Sequence, residues 1–142
     1  MSSVVKDGKK QPIIRDKATS LIQGLSSKNY AGEIAKIFYF VRDRIRYTRD
    51  INGVETLHIP SQVLAQEHGD CDDKSVLLAA LLESVGHRTR FIALGFEQGR
   101  FSHVLTQTRI REDTWLSLDP TEQQPIGWFP PGVVARMVQY NY

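Results

Sequence analysis

Cys71 is the only cysteine of the chain, and it stands in Gly69-Asp70-Cys71-Asp72-Asp73, just ahead of the apolar run Val76-Leu77-Leu78-Ala79-Ala80-Leu81-Leu82. A single cysteine cannot close an intramolecular disulfide, so its thiol stays available for chemistry. Asp70 is a favourable N-cap, Asp73 falls three positions later where a capping box needs an acceptor, and Gly86 can close a helix in the left-handed conformation. The spacing therefore predicts a helix that begins at Cys71. A thiol placed there sits at the positive end of the helix dipole, beside unpaired backbone N–H groups, which favours thiolate and nucleophilic attack. Asp72 and Asp73 oppose it, because nearby negative charge disfavours another anion. A base is needed.

Four histidines compete for that role. His87 follows Gly86 at the wrong end of the helix, while His58 and His68 lie in predicted loops, and His68 precedes the turn that carries the thiol. His103 is placed differently. It lies early in the alternating segment Phe101 to Ile110, which Arg111-Glu112-Asp113 joins to a second such segment, Thr114 to Leu118, as an antiparallel hairpin. With a three-residue loop, Ile110 pairs with Thr114, Leu105 lies opposite Asp119, and His103 is diagonal to Asp119 on one face; a two-residue loop would put them on opposite faces. On a shared face Asp119 can hold the imidazole in its working tautomer and stabilise the imidazolium. Each residue has a structural alternative: a buried cysteine, a half-buried sheet histidine, a strand-end cap before Pro120. The three together in compatible elements point to nucleophilic catalysis.

Other chemistries find less support. Cys71, His68, Asp72 and His103 lack the paired spacing of a metal site, and there is no phosphate-binding glycine loop or dinucleotide fingerprint. No metal and no cofactor are expected. Lysine and arginine are scattered among acids, with a net charge of +2, so no nucleic-acid partner is expected either.

The elements that must hold these residues can be read from periodicity. Ile14, Ala18, Leu21, Ile22 and Leu25 recur at helical spacing, and Ile34, Ile37, Phe38 and Val41 mark a second helix from about Tyr30 to Arg44. Ile45 to Thr48 reads as extended, and Arg49 to Ile59, with its Asn52-Gly53 signal, as a loop or irregular hairpin. Pro60 opens a short helix over Ser61 to Gln66, leading to a sharp turn at Gly69. The segment Val76 to Leu82 is apolar on every face, so its helix is expected to be central and wrapped by the rest of the domain. Arg90 to Gly95 reads as a strand and Gly95 to Arg100 as a turn. Residues 1–12 are polar and read as a flexible arm. Residues 122–142 form a C-terminal extension, proline-rich and aromatic around Trp128, then weakly helical from Val133 to Tyr142.

The 142 residues suit a single domain that buries roughly two-thirds of its unfolded surface. Neither a membrane-spanning run nor the apolar core of a secretory signal is present, so a cytoplasmic protein without a membrane partner is expected.

The stretch Gly69-Asp70-Cys71-Asp72-Asp73 with its Leu-rich helix, Phe101-Ser102-His103-Val104, and Trp115-Leu116-Ser117-Leu118-Asp119-Pro120-Thr121 together resemble the transglutaminase-like superfamily of papain-type cysteine enzymes. Phe40 to Tyr47 and the lead-in Pro60 to Leu64 are similar too, so the resemblance spans about residues 14–121. It implies an α+β, papain-like core, with N-terminal helices and a central helix packed on an antiparallel sheet, in the manner of small stand-alone bacterial or phage members. It also implies Cys71 as nucleophile, His103 as base and later acid, and Asp119 as the orienting carboxylate. The implied reaction is cleavage of an amide in a protein or peptide through a thioester acyl-enzyme. The alternatives are transglutaminase or deamidase transfer at glutamine, or a binding or assembly module on the same fold. The backbone N–H of Cys71 suits one oxyanion donor; Tyr47, Gln62 and Gln66 are candidates for the second.

Overall fold

The computed structural model describes residues 1–49 and 58–142. The predicted Asn52-Gly53 turn lies outside the described residues. Along the described chain run α1 (Ser2–Gly8), α2 (Pro12–Ile22), α3 (Tyr30–Arg44), β1 (Arg46–Tyr47), α4 (Pro60–Gln66), β2 (His68–Gly69), α5 (Cys71–Ser84), β3 (Thr89–Gly95), β4 (His103–Arg111), β5 (Thr114–Leu118) and β6 (Ala135–Tyr140). None of these helices is long and apolar enough to cross a membrane.

α5 is buried from Asp73 to Glu83, as a helix without a polar stripe requires. At its start, Asp70 Oδ1 accepts from the Asp73 N–H and Asp73 Oδ2 from the Asp70 N–H, a reciprocal capping box. At its end, the His87 N–H reaches Leu82 O and the Gly86 N–H reaches Glu83 O, with Gly86 at φ +98°; this is the Schellman closure that glycine permits. Ile14, Ala18, Ile37, Phe38, Val41 and Val63 from α2, α3 and α4 pack on one side of α5 with Leu77, Leu78, Leu81 and Leu118. On the other side Val76 and Ala79 meet Phe91 and Val104 of the sheet.

The four-stranded antiparallel sheet has the order β5-β4-β3-β6. Its β4–β5 hairpin closes on Glu112-Asp113, flanked by the pair Arg111 and Thr114, with Asp113 at φ +63°. The connection is thus two residues long, not the expected three. A bulge between Arg109 and Arg111 adds one residue to β4 and restores the parity that the shorter turn removes. Thr106 consequently faces Leu118, the register that sets His103 and Asp119 on one face.

Three further expectations are corrected. The N-terminal residues are not a loose arm: α1 buries Val5 completely against Val76, Ala79 and Phe91, and Ser2 Oγ donates to Asn141 Oδ1 at 2.7 Å. Val133 to Tyr142 is not helical, because β6 pairs antiparallel with β3 from Arg90–Tyr140 to Gly95–Ala135. β6 is exposed along almost its whole length, so backbone pairing holds it, and no buried face imposes the alternation that marks a strand in sequence. Finally, Gly69 is not a sharp turn. It belongs to β2, which runs parallel to β1, while the left-handed residue before it is Glu67 at φ +61°. Gly69 answers to space: a Cβ there would come within 2.6 Å of Asp73 Cβ, so only glycine lets the capping carboxylate lie against β2.

Candidate active site

Each candidate side chain is held by its own element. Cys71 is the first residue of α5 and packs, half-buried, against Val76, Phe91 and Val104. His103 opens β4, and Asp119 follows the last residue of β5. His103 Nε2 lies 2.7 Å from Asp119 Oδ2, and Asp119 Oδ1 accepts the Thr121 N–H at 3.1 Å. The Asp119 side chain is 1% exposed, so the carboxylate is committed to these partners.

Burial of the His103 ring disfavours its cation, but hydrogen bonds to Asp119 and Cys71, together with their negative charge, raise its pKa to about 10. With Nε2 taken by Asp119, Nδ1 is the nitrogen left for the thiol. Through neutral pH the ring is therefore an imidazolium between a carboxylate and a sulfur.

Two carboxylates flank that sulfur, and the structure separates them. Asp73 turns away: besides the cap it accepts the His58 N–H at 3.0 Å and lies 3.1 Å from His58 Nδ1. Asp72 Oδ1 lies 3.8 Å from Cys71 Sγ, where the thiol can donate to it. Asp70 is pushed up to about 6, mainly by burial and further by the charges of Asp73 and Asp72, against the lowering effect of the Asp73 N–H.

The three oxyanion candidates occupy different surroundings. Tyr47 pairs with Gly69 across the small sheet, and burial and then the Cys71 charge push its phenol pKa upward, with Arg49 opposing. Its hydroxyl lies in the field of the sulfur. Gln66 instead donates to His68 O at 2.8 Å, holding β2, and Gln62 is exposed on α4.

Two further residues stand beside the start of α5. His58 falls in a predicted loop, yet it lies on Asp73, two residues along α5 from Cys71; no spacing announces it. Lys74 is 1% exposed, and its signal was a lone ammonium between a capping box and a fully apolar run. Among the described residues no group of three or more His, Cys, Asp or Glu is arranged to hold a metal ion.

The model of the transglutaminase-like superfamily matches residues 15–120, and the chain belongs to that superfamily. Solved structures agree on the fold. Legionella pneumophila LapG superposes with a TM-score of 0.66 at 16% identity, over 99% of this chain and 87% of that one. A "Putative Cysteine Protease from Cytophaga hutchinsonii" gives 0.63 at 15% identity over 88% of this chain and 42% of that one. Rad4–Rad23 bound to a 6-4 photoproduct lesion gives 0.56 at 11% identity, over 87% and 37%. The chain thus spans less than half of the Cytophaga protein. No curated protein matches it in sequence. The protein is an α+β member of the superfamily, with the central helix on an antiparallel sheet.

Proposed function

We propose that the protein is a cysteine-dependent amide-bond hydrolase acting on a protein or peptide, with Cys71 as nucleophile, His103 as acid and base, and Asp119 as the orienting carboxylate. The observation that carries this reading is the imidazole of His103, bonded at 2.7 Å to a buried Asp119, with Cys71 close enough to help raise its pKa. Membership in the superfamily supports it.

In this reading the Cys71 thiolate attacks the amide carbon and the carbonyl π electrons move to oxygen. The oxyanion is met by the Cys71 N–H, which as the first of α5 has no intrahelical partner. Tyr47, whose phenol lies in the field of the sulfur, is the better placed second donor of the three candidates. Collapse of the intermediate breaks the C–N bond, and the His103 imidazolium gives its proton to the departing amine, leaving a thioester. Neutral His103 then takes a proton from water as the water attacks the thioester. Sulfur leaves as thiolate and the acid is released, restoring the starting ion pair.

The test is alkylation of Cys71 by iodoacetamide. At pH 6, where a free peptide thiol is almost wholly protonated, Cys71 should react much faster than such a thiol, and His103→Ala should remove the excess. A rate equal to that of the free thiol, unchanged by His103→Ala, overturns the reading. Mass spectrometry of peptides incubated with a primary amine will then show whether water or amine resolves the thioester.

A further inference from the structure

One face of the sheet, carried by Phe91 and Val104, packs on α5; side chains alternate along a strand, so their neighbours Arg90 and Gln107 stand on the other face. Across that outer face the register sets Ser117, Gln107, Arg90 and Tyr140 in one row. Two residues further along each chain lies a second row of Trp115, Arg109, Arg88 and Tyr142, where the Arg109 N–H donates to Arg88 O at 2.9 Å. Cations and rings interleave over these rows. Arg90 Cζ lies 4.3 Å from the centre of the Trp115 ring and 5.8 Å from that of Tyr140, while Arg88 and Arg109 lie 4.9 Å and 5.6 Å from that of Tyr142. The Trp115 and Tyr140 rings are 5.8 Å apart, and the Tyr140 and Tyr142 rings 5.7 Å. Phe129 and Val133 cover Ile92, Leu94 and Leu105 elsewhere on this face. The two rows stay open, with Arg88, Tyr140 and Tyr142 each nearly half exposed.

We infer that this platform of three guanidiniums and three aromatic rings binds single-stranded DNA. Neither row holds an acid. Among the described residues Glu83 Oε1, 3.9 Å from Arg88 Nη1, is the one carboxylate oxygen within ion-pair distance of the three cations, and Glu83 also accepts from the Thr89 N–H and hydroxyl. Charge left without a counter-charge on an open face calls for an anionic partner. Cations alone would suit any polyanion, but the rings narrow the choice. A run of carboxylates offers nothing flat to stack on them, whereas every nucleotide carries both a phosphate and a planar base. The bases must be unpaired, because in a duplex their faces are covered by one another. Polar side chains of the first row are committed among themselves: Arg90 Nε donates to Gln107 Oε1 at 2.8 Å, Gln107 Nε2 to Ser117 Oγ at 2.9 Å, and Arg90 Nη1 to the Tyr140 hydroxyl at 3.3 Å. These bonds hold the guanidinium over its ring and leave no amide to meet a ribose 2′-hydroxyl, the group by which RNA is told from DNA. Along the chain the same arginines stand scattered; only the strand register gathers them. Cys71, His103 and Asp119 belong to neither row, so binding here is separate from the proposed hydrolysis.

Fluorescence anisotropy of a labelled oligothymidylate of about 15 nucleotides, titrated with the full chain at several salt concentrations, tests this. Binding should be saturable, and log K should fall against log salt with a slope of about −2, as for three phosphates met on a single strand. Arg88→Gln and Arg109→Gln should each make that slope about 0.7 shallower. Trp115→Ala should weaken binding roughly 5- to 150-fold, the loss of one stacked base, and leave the slope unchanged. Tyr142→Ala, made at the exposed last residue, should do the same, and it decides should Trp115→Ala fail to fold. No saturable binding, or binding indifferent to these variants, overturns the inference. So does equal affinity for the oligothymidylate annealed to its complement, which would leave stacking no part. A tighter grip on oligouridylate would make the ligand RNA, and equal affinity for an oligoglutamate peptide would make it an acidic protein segment; either result also overturns it.

Discussion

At its N-terminal end α5 presents Cys71 to His103 and Asp119; at its C-terminal end it closes on Gly86 and His87, whose Nε2 lies 2.8 Å from Glu33 Oε1. Both ends thus carry a histidine bonded to a carboxylate at nearly the same distance. The C-terminal end also borders a cavity of about 710 Å³ lined by Tyr30, Ile34, His87, Arg109, Leu116 and Ile126 among others. What separates the ends is the company of the far ring nitrogen. His103 has a thiol there, at the end of a helix where the dipole favours an anion. The His87 ring instead lies roughly perpendicular to Tyr30, with ring centroids 5.9 Å apart, at the end where the dipole disfavours an anion. A histidine–carboxylate pair is a common way to satisfy a buried imidazole, and only the group on its other side turns it toward chemistry.

The largest expected effect tests that distinction directly. On a panel of fluorogenic peptide amides, His103→Ala should slow hydrolysis roughly 10²–10⁴-fold, whereas His87→Ala should leave the rate nearly unchanged and lower only the urea midpoint. Equal losses of activity from the two variants would break the comparison.

A smaller effect sharpens it from the other side. Gly86 sits at φ +98° with no atom within 4 Å of where a Cβ would stand. Gly86→Ala therefore meets no clash and pays only the left-handed conformational cost, about 1–2 kcal/mol in urea unfolding. Alkylation of Cys71 in the folded protein should be unaffected. A change in thiol reactivity would mean that the two ends communicate along the helix.

The contrast also explains what the sequence made legible. The capped, apolar α5 was readable because caps and burial leave local marks: Asp70, Asp73 and Gly86 at fixed offsets, and seven apolar residues between them. The meeting of His103 with Asp119 was readable through strand parity, although the parity rests on a bulge at Ile110 compensating a shorter turn, and the two departures cancel. α1 and β6 were not readable. Val5 is the one buried apolar side chain in the polar segment of α1, and β6 is secured by backbone bonds to β3, so neither leaves a periodic trace. His58 and Lys74 were missed because their partners, Asp73 and the Arg42 carbonyl, are brought to them by tertiary packing alone.

The smallest expected effect concerns the cap that holds the thiol's end of the helix. Asp70 sits where the helix dipole should welcome its charge, yet burial and the nearby Asp73 and Asp72 push its pKa up to about 6, so the unfavourable influences win. A carboxyl with a raised folded-state pKa binds its proton more tightly folded than unfolded. Stability therefore falls as pH rises from the ordinary carboxylate range through about 6, and the deficit is complete above that value. Asp70→Asn keeps an oxygen to accept the Asp73 N–H and removes the charge. Its urea midpoint should exceed that of the wild type at pH 7.5, and the advantage should shrink at pH 4.5 as wild-type Asp70 takes up its proton. A variant less stable than wild type at pH 7.5 would mean that the dipole's attraction for the Asp70 charge outweighs burial and its acidic neighbours.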